Sequence, residues 1–141
     1  MVRVLATGTF DILHPGHLVY LEEAKKLGDE LVVIVARDIN VKHKPKPVLP
    51  EEQRVRMVSS LSMVDKAILG SEKDIFEFLY DIKPDVIAIG YDQHFKVESL
   101  KKELESRKIN AKVIRVEKSE SCKLCSSRAI IKHILGKVPI Q

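Results

Sequence analysis

Apolar residues fall into two alternating rhythms along this chain. Short continuous runs at Val2 to Ala6, Leu31 to Ala36 (LVVIVA), Val64 to Leu69, Asp85 to Ile89 (DVIAI) and Lys112 to Val116 read as strands buried on both faces of a parallel sheet. Between them, apolar positions recur at helical spacing. Leu18, Leu21, Ala24 and Leu27 follow Pro15 until Gly28 stops them, and Val55, Val58 and Leu61 follow Pro50. A capping pair, Ser71 with Asp74, opens a third helix that ends at Ile82 before Lys83 and Pro84. A fourth helix spans about Val97 to Arg107, and a last one starts near Ser126.

This alternation predicts an α/β fold: a doubly wound, mostly parallel five-stranded Rossmann-like sheet. The 141 residues fit one domain over 1–141. In such sheets ligands bind at the carboxyl ends of the strands, near the point where strand order reverses. Two loops are placed for that role: Thr7 to His17 (TGTFDILHPGH) leaves the first strand, and Gly90 to Phe95 (GYDQHF) leaves the fourth. If those strands are neighbours across the switch point, both loops line one crevice. The segment from Arg37 to Pro50 breaks the rhythm with three prolines and several cations, as a functional or mobile loop would.

Composition narrows the chemistry. Hydrophobic residues make up 45% and charged residues 31%, the balance of a globular protein. No apolar run reaches membrane-spanning length and the amino terminus lacks a signal-peptide layout, so no membrane partner is expected and the cytosol is the default compartment. The net charge of +4, with lysines spread among glutamates, suits a small anionic substrate. With three Tyr, four Phe and no basic stripe, a nucleic-acid partner is not expected. The two cysteines, Cys122 and Cys125, exclude a disulfide framework, and reduced thiols are expected. As a CxxC they read as inert loop cysteines, as a redox-sensitive pair beside the following serines, or as a zinc half-site completed by a second chain.

The loop after the first strand carries the clearest chemical signal. A helix N-terminus offers unpaired N–H groups and a positive dipole end, and the glycines Gly8 and Gly16 let a phosphate approach the main chain. His14 and His17 stand three apart on the first turn, so both imidazoles can project toward one anion and donate to its oxygens. A metal pair or core histidines are the alternatives. An HxxH without a third nearby ligand is a poor zinc site, and no all-protein metal cage is expected. Neither the GxGxxG fingerprint nor a GK[ST] phosphate loop is present.

GTFDILHPGH resembles the GTFDxLHxGH motif of the cytidylyltransferase-like branch of the HIGH-type nucleotidyltransferase superfamily. CSSRAII, Cys125 to Ile131, resembles that branch's carboxyl-terminal [IS]S[ST]xI motif, and the likeness extends from about Val2 to Leu135. Glycerol-phosphate cytidylyltransferases carry RYVD where this chain has SMVD (Ser62 to Asp65), and GxDW where it has GYDQ. The combination of LGDELVVIVARD, PEEQRVRMV, VDKAILG, GYDQ and a cysteine ahead of paired serines is more similar to the archaeal-type FAD synthases.

That resemblance implies an enzyme that transfers AMP from ATP to FMN, giving FAD and pyrophosphate. A cytidylyltransferase acting on glycerol phosphate or a similar small phosphoalcohol is the alternative, and a non-catalytic nucleotide-binding module a further one. His14 and His17 are implied as catalytic donors to the transition state. Nucleotide contacts are implied at Gly8, Thr9, Phe10, Pro15, Gly16, Asp92, Ser126, Ser127 and Arg128, besides both histidines. Further phosphate contacts are expected at Lys44, Lys46 and Arg54, the lysines being otherwise part of a solvated loop and Arg54 otherwise structural. Asp11 reads as a loop-fixing acceptor, because a phosphate nucleophile needs no base. Mg²⁺ or a similar divalent ion is expected with ATP, held mostly by the substrate and water. Related enzymes tend to form homodimers.

Overall fold

Every ladder in the sheet runs parallel. The computed structural model describes residues 1–42, 46–74, 76–91, 93, 96–120 and 122–137. Its strands are β1 (Arg3–Gly8), β2 (Glu30–Val35), β3 (Lys66–Leu69), β4 (Val86–Ile89) and β5 (Lys112–Arg115), in the order β3-β2-β1-β4-β5. Its helices are α1 (Pro15–Lys25), α2 (Glu51–Ser59), α3 (Leu79–Ile82), α4 (Val97–Ser106) and α5 (Ser127–Lys137).

The continuous apolar runs have the predicted cause. Alternate residues of the central strands enter opposite cores. Val4 and Ala6 join Leu31, Val33, Val35 and Val86 against Leu21 and Ala24 of α1 and Val58 of α2. Leu5 joins Val32, Ile34, Ile87 and Ile89 against Leu79 of α3 and Leu104 of α4. Each fully buried aliphatic side chain contributes about 1.5–3 kcal/mol, so the sheet is held from both sides.

β1 pairs with β2 on one side and β4 on the other, with Val4 opposite both Leu31 and Val86. Strand order therefore reverses between β1 and β4, and the two chemistry-bearing loops leave neighbouring strands at the same end. β1 outruns its predicted end at Ala6, because pairing with β2 continues to Gly8 opposite Val35. β3 is shorter than predicted and starts at Lys66.

The third helix departs most from expectation. Ser71 Oγ accepts the N–H groups of Lys73 and Asp74 and lies against the Glu77 carboxylate, while Asp74 accepts from Phe76 N–H. These local bonds form turns in place of a first helical turn. Only Leu79–Ile82 is helical, and Lys83 at φ 51° ends it in the left-handed region. Asp38–Asn40, within the proline-rich segment, forms a short 3₁₀ turn that the pattern did not indicate.

Candidate active site

His14 stands at the N-cap of α1 in extended conformation, with Pro15 as the first helical residue. Its Nδ1 accepts the backbone N–H of Gly16 at 3.1 Å, doing the work usually left to Ser or Asp at this position. With Nδ1 accepting, the proton of a neutral ring resides on Nε2. The His17 ring lies one turn on, with its centroid 3.8 Å from that of His14. The two imidazoles thus form one pair at a helix N-terminus.

α5 begins beside them. Ser126 Oγ accepts Ala129 N–H at 3.0 Å, the bond of an N-cap serine. Ser127 Oγ donates to the Ile12 carbonyl at 3.0 Å, and a Cβ placed on Gly16 would stand 3.3 Å from the Cys125 carbonyl oxygen. Two helix N-termini therefore meet at the carboxyl end of β1. Neither α1 nor α5 carries an acidic residue in its first turn, whereas α2, α3 and α4 all do. No acidic side chain in those first turns offsets the positive ends of these two dipoles.

The proline-rich segment is pinned to this loop. Asp11 accepts the N–H groups of Val48 and Leu49, both at 2.9 Å, which is the loop-fixing role expected of it. Arg54 is 0% exposed, and its guanidinium donates to the carbonyls of Leu49 (3.0 Å), Thr9 (2.7 Å) and Ala36 (2.8 Å) and to the Asp38 carboxylate. Of the two roles open to Arg54, these bonds support the structural one. Lys46 is exposed and donates to the Asp38 carbonyl at 2.9 Å. Lys44 and Asp92 lie outside the described residues.

Across the switch point, Gln93 joins the two loops. Its Nε2 donates to the Thr7 carbonyl and its Oε1 accepts Gly90 N–H, both at 2.7 Å. Arg115 Nη1 adds bonds to the carbonyls of Gly90 (3.0 Å) and Gln93 (3.1 Å). Tyr20 of α1 reaches the same place with its hydroxyl, 2.7 Å from the Ala88 carbonyl. Gln93 closes the GYDQ motif, whereas Arg115 and Tyr20 were not singled out from the sequence. For Tyr20 a usable signal was present, since it follows His17 by three positions on one helix.

The structure bears on three expectations. The Phe10 side chain is 3% exposed and packs against His17 and Tyr20, so any nucleotide contact at this position falls to its backbone. The glycines serve the protein's own rings: a Cβ on Gly8 would stand 2.8 Å from the Phe10 ring, and one on Gly16 would stand 2.8 Å from that of His14. Cys122 and Cys125 are joined as a disulfide, not held as reduced thiols. Their turn brings the Cα atoms to 5.1 Å, inside the range a disulfide spans, immediately before the α5 cap. Thr9, Pro15, Ser126, Ser127 and Arg128 are brought to the same loop cluster as the histidines, with Arg128 exposed.

No described helix is long and apolar enough to cross a membrane. Residues 5–133 match the cytidylyltransferase-like family. The chain is 63% identical over 138 residues to a protein named FAD synthase from Archaeoglobus profundus, covering 98% of this chain and 89% of that protein. It is 64% identical over 137 residues to another so named from Methanosarcina mazei, covering 97% and 91% respectively. Among solved structures, the lipopolysaccharide core biosynthesis protein of Thermoplasma volcanium superposes with a TM-score of 0.82 at 46% identity, covering 85% of this chain and 99% of that one.

Proposed function

The chain belongs to the cytidylyltransferase-like family, and from that premise we propose that it is a nucleotidyltransferase acting as an FAD synthase. It transfers AMP from ATP to the phosphate of FMN and releases pyrophosphate. The observation that carries this reading is the His14–His17 pair, 3.8 Å apart between ring centroids, at a helix N-terminus with no acidic residue in its first turn.

A phosphate oxygen of FMN attacks the α-phosphorus of ATP in line. A new P–O bond forms as the bond to the β-phosphate breaks, and the electron pair leaves on pyrophosphate. The nucleophile is already anionic, so no base is required. What remains is positioning, with stabilisation of charge on the α-phosphoryl and leaving oxygens. His14, through Nε2, and His17 are the donors that follow this charge. The N-terminus of α5, with Ser126, Ser127 and Arg128, receives the β- and γ-phosphates, and Lys46 lies in the neighbouring loop. Backbone groups at Gly8, Thr9, Phe10, Pro15 and Gly16 line the path of the polyphosphate, and Asp92 meets the sugar or base.

Among the described residues no group of three or more His, Cys, Asp or Glu side chains could hold a metal ion. A divalent ion such as Mg²⁺ would arrive on the polyphosphate of ATP, held mostly by substrate oxygens and water, and no step above is routed through it. The remaining parts of the reading are a single catalytic domain over residues 1–141, a cytosolic location, no nucleic-acid partner, and a homodimer. Ile134 and Leu135, exposed on α5, support self-association.

The test is incubation with FMN, ATP and Mg²⁺, followed by detection of FAD and pyrophosphate. Formation of both in equal amounts supports the reading. Turnover of CTP with glycerol phosphate in place of FMN and ATP would assign the alternative substrate class, and turnover of neither pair would leave a binding module. Light scattering reads the homodimer separately.

A further inference from the structure

The rings at the site continue downward into a column whose lower half the proposed chemistry leaves without a role. The His17 centroid is 5.4 Å from that of Phe10, and Phe10 stacks on Tyr20 at 6.4 Å with 12° between the planes. Tyr20 follows His17 by three residues on α1, so both side chains project from one helix face. Phe10 reaches in from the motif loop and stands between them.

The foot of the column is tied to two strands. The Tyr20 hydroxyl lies 2.7 Å from the Ala88 carbonyl, 3.3 Å from the Thr7 carbonyl and 3.2 Å from Thr7 N. Its one proton serves the nearer Ala88, while its lone pairs accept from Thr7 N–H. Ala6 opposite Ala88 is the last paired position of β1 with β4, so the hydroxyl sits where the two strands part. That tether fixes the ring plane on which Phe10 lies.

Phe10 itself requires fixing. Its backbone is at φ 53°, a left-handed conformation unusual for a residue other than glycine, and its ring closes over Gly8 where a Cβ would collide. A ring held there at 3% exposure presents one surface to His17 and another to Tyr20. We infer that Tyr20 is a positioning residue for His17, acting through the ring of Phe10. This rests on the reading of His17 as a donor in nucleotidyl transfer. A leucine at position 20 would fill volume but would supply neither a flat support nor a tie to both strands.

The experiment compares Tyr20→Leu, Tyr20→Phe and Phe10→Leu with the unmodified protein by two readouts, at temperatures well below each variant's melting. One is the ring resonance of His17 in the free protein by NMR, and the other is steady-state kinetics with FMN and ATP. Tyr20→Leu is expected to move the His17 resonance and to lower kcat about tenfold with KM for ATP within about twofold, as for a misplaced donor. Tyr20→Phe keeps the flat ring but loses the tie to the strands, so it should move the resonance less than Tyr20→Leu does and lower kcat by no more than about threefold. Phe10→Leu should move the resonance as Tyr20→Leu does, and it stands as the second test should Tyr20→Leu fail to fold. An unmoved His17 resonance in the leucine variants, or equal impairment of kcat in Tyr20→Phe and Tyr20→Leu, would overturn the inference. Should the unmodified protein make no FAD, the functional reading fails, while the His17 spectra still decide the positioning role.

Discussion

Ser127, the first residue of α5, donates its hydroxyl to the carbonyl of Ile12 at 3.0 Å across a separation of 115 residues. One bond thus sets the second helix N-terminus against the loop that carries the histidines. A single neutral hydrogen bond contributes about 1 kcal/mol net, so Ser127→Ala should melt close to the unmodified protein. Its effect should appear in ATP binding. KM for ATP is expected to rise several-fold, on the order of the same 1 kcal/mol, with kcat nearly unchanged. An unchanged KM in steady-state assays would show that this bond does not hold α5 in register.

Arg54 and Asp38 differ in burial, and their substitutions should differ accordingly. The arginine side chain is fully enclosed and the aspartate side chain is 43% exposed. Arg54→Met leaves the carbonyls of Leu49, Thr9 and Ala36 without their donor, a loss of at least about 3 kcal/mol by denaturant titration. Asp38→Asn removes a charge that water can reach and should cost about 1 kcal/mol or less. Equal losses for the two variants would mean that the ion pair, not the carbonyl cluster, is what Arg54 stabilises.

Arg54 also marks where sequence reasoning runs out. Strands such as LVVIVA were legible because burial on both faces needs an unbroken apolar run, and α1 was legible because Pro15 and Gly28 bound a helical period. His14 and His17 were legible because their spacing is local. Arginine in a helix ordinarily reads as surface, and here its burial comes from carbonyls on three other segments. Phe10 was expected at the nucleotide and belongs to the core, because its left-handed backbone turns the ring inward. The helix expected to open at the Ser71–Asp74 capping pair and run to Ile82 shortened to Leu79–Ile82, because the Ser71 and Asp74 side chains satisfy turns as readily as caps. Tyr20 and Gln93 act across strands whose adjacency no local pattern encodes.

Acid sensitivity should pass partly through Asp65. Its carboxylate accepts from the Lys25 ammonium and from Leu31 N–H, and these two bonds, in that order, hold its pKa below the usual carboxylate range. A group whose folded value is depressed stabilises fully above the unfolded value, near pH 4, and loses that contribution as pH falls through the folded value. With the side chain 44% exposed, screening keeps the effect small. Asp65→Asn should therefore be less stable than the unmodified protein at pH 7, with the gap closing below about pH 4. Urea midpoints at pH 7, 4 and 3 read this directly, and a gap constant with pH would remove Asp65 from the acid response.

His14 has two duties that substitution can separate. As N-cap it accepts Gly16 N–H, and in the proposed reaction its Nε2 donates to the nucleotide. His14→Ala loses both, so it should lower stability by about 1 kcal/mol and kcat by about 10²–10³. His14→Asn restores a strong capping side chain without restoring an imidazole donor. Its melting temperature should return to that of the unmodified protein while kcat stays low. His17 lies within α1 beyond its N-cap, and His17→Ala should lower kcat by a similar factor of about 10²–10³ with the cap kept. Because both rings face one charge, His14→Ala with His17→Ala should cost less than the product of the single losses. Full multiplicativity would mean that the rings, though 3.8 Å apart, act on separate events.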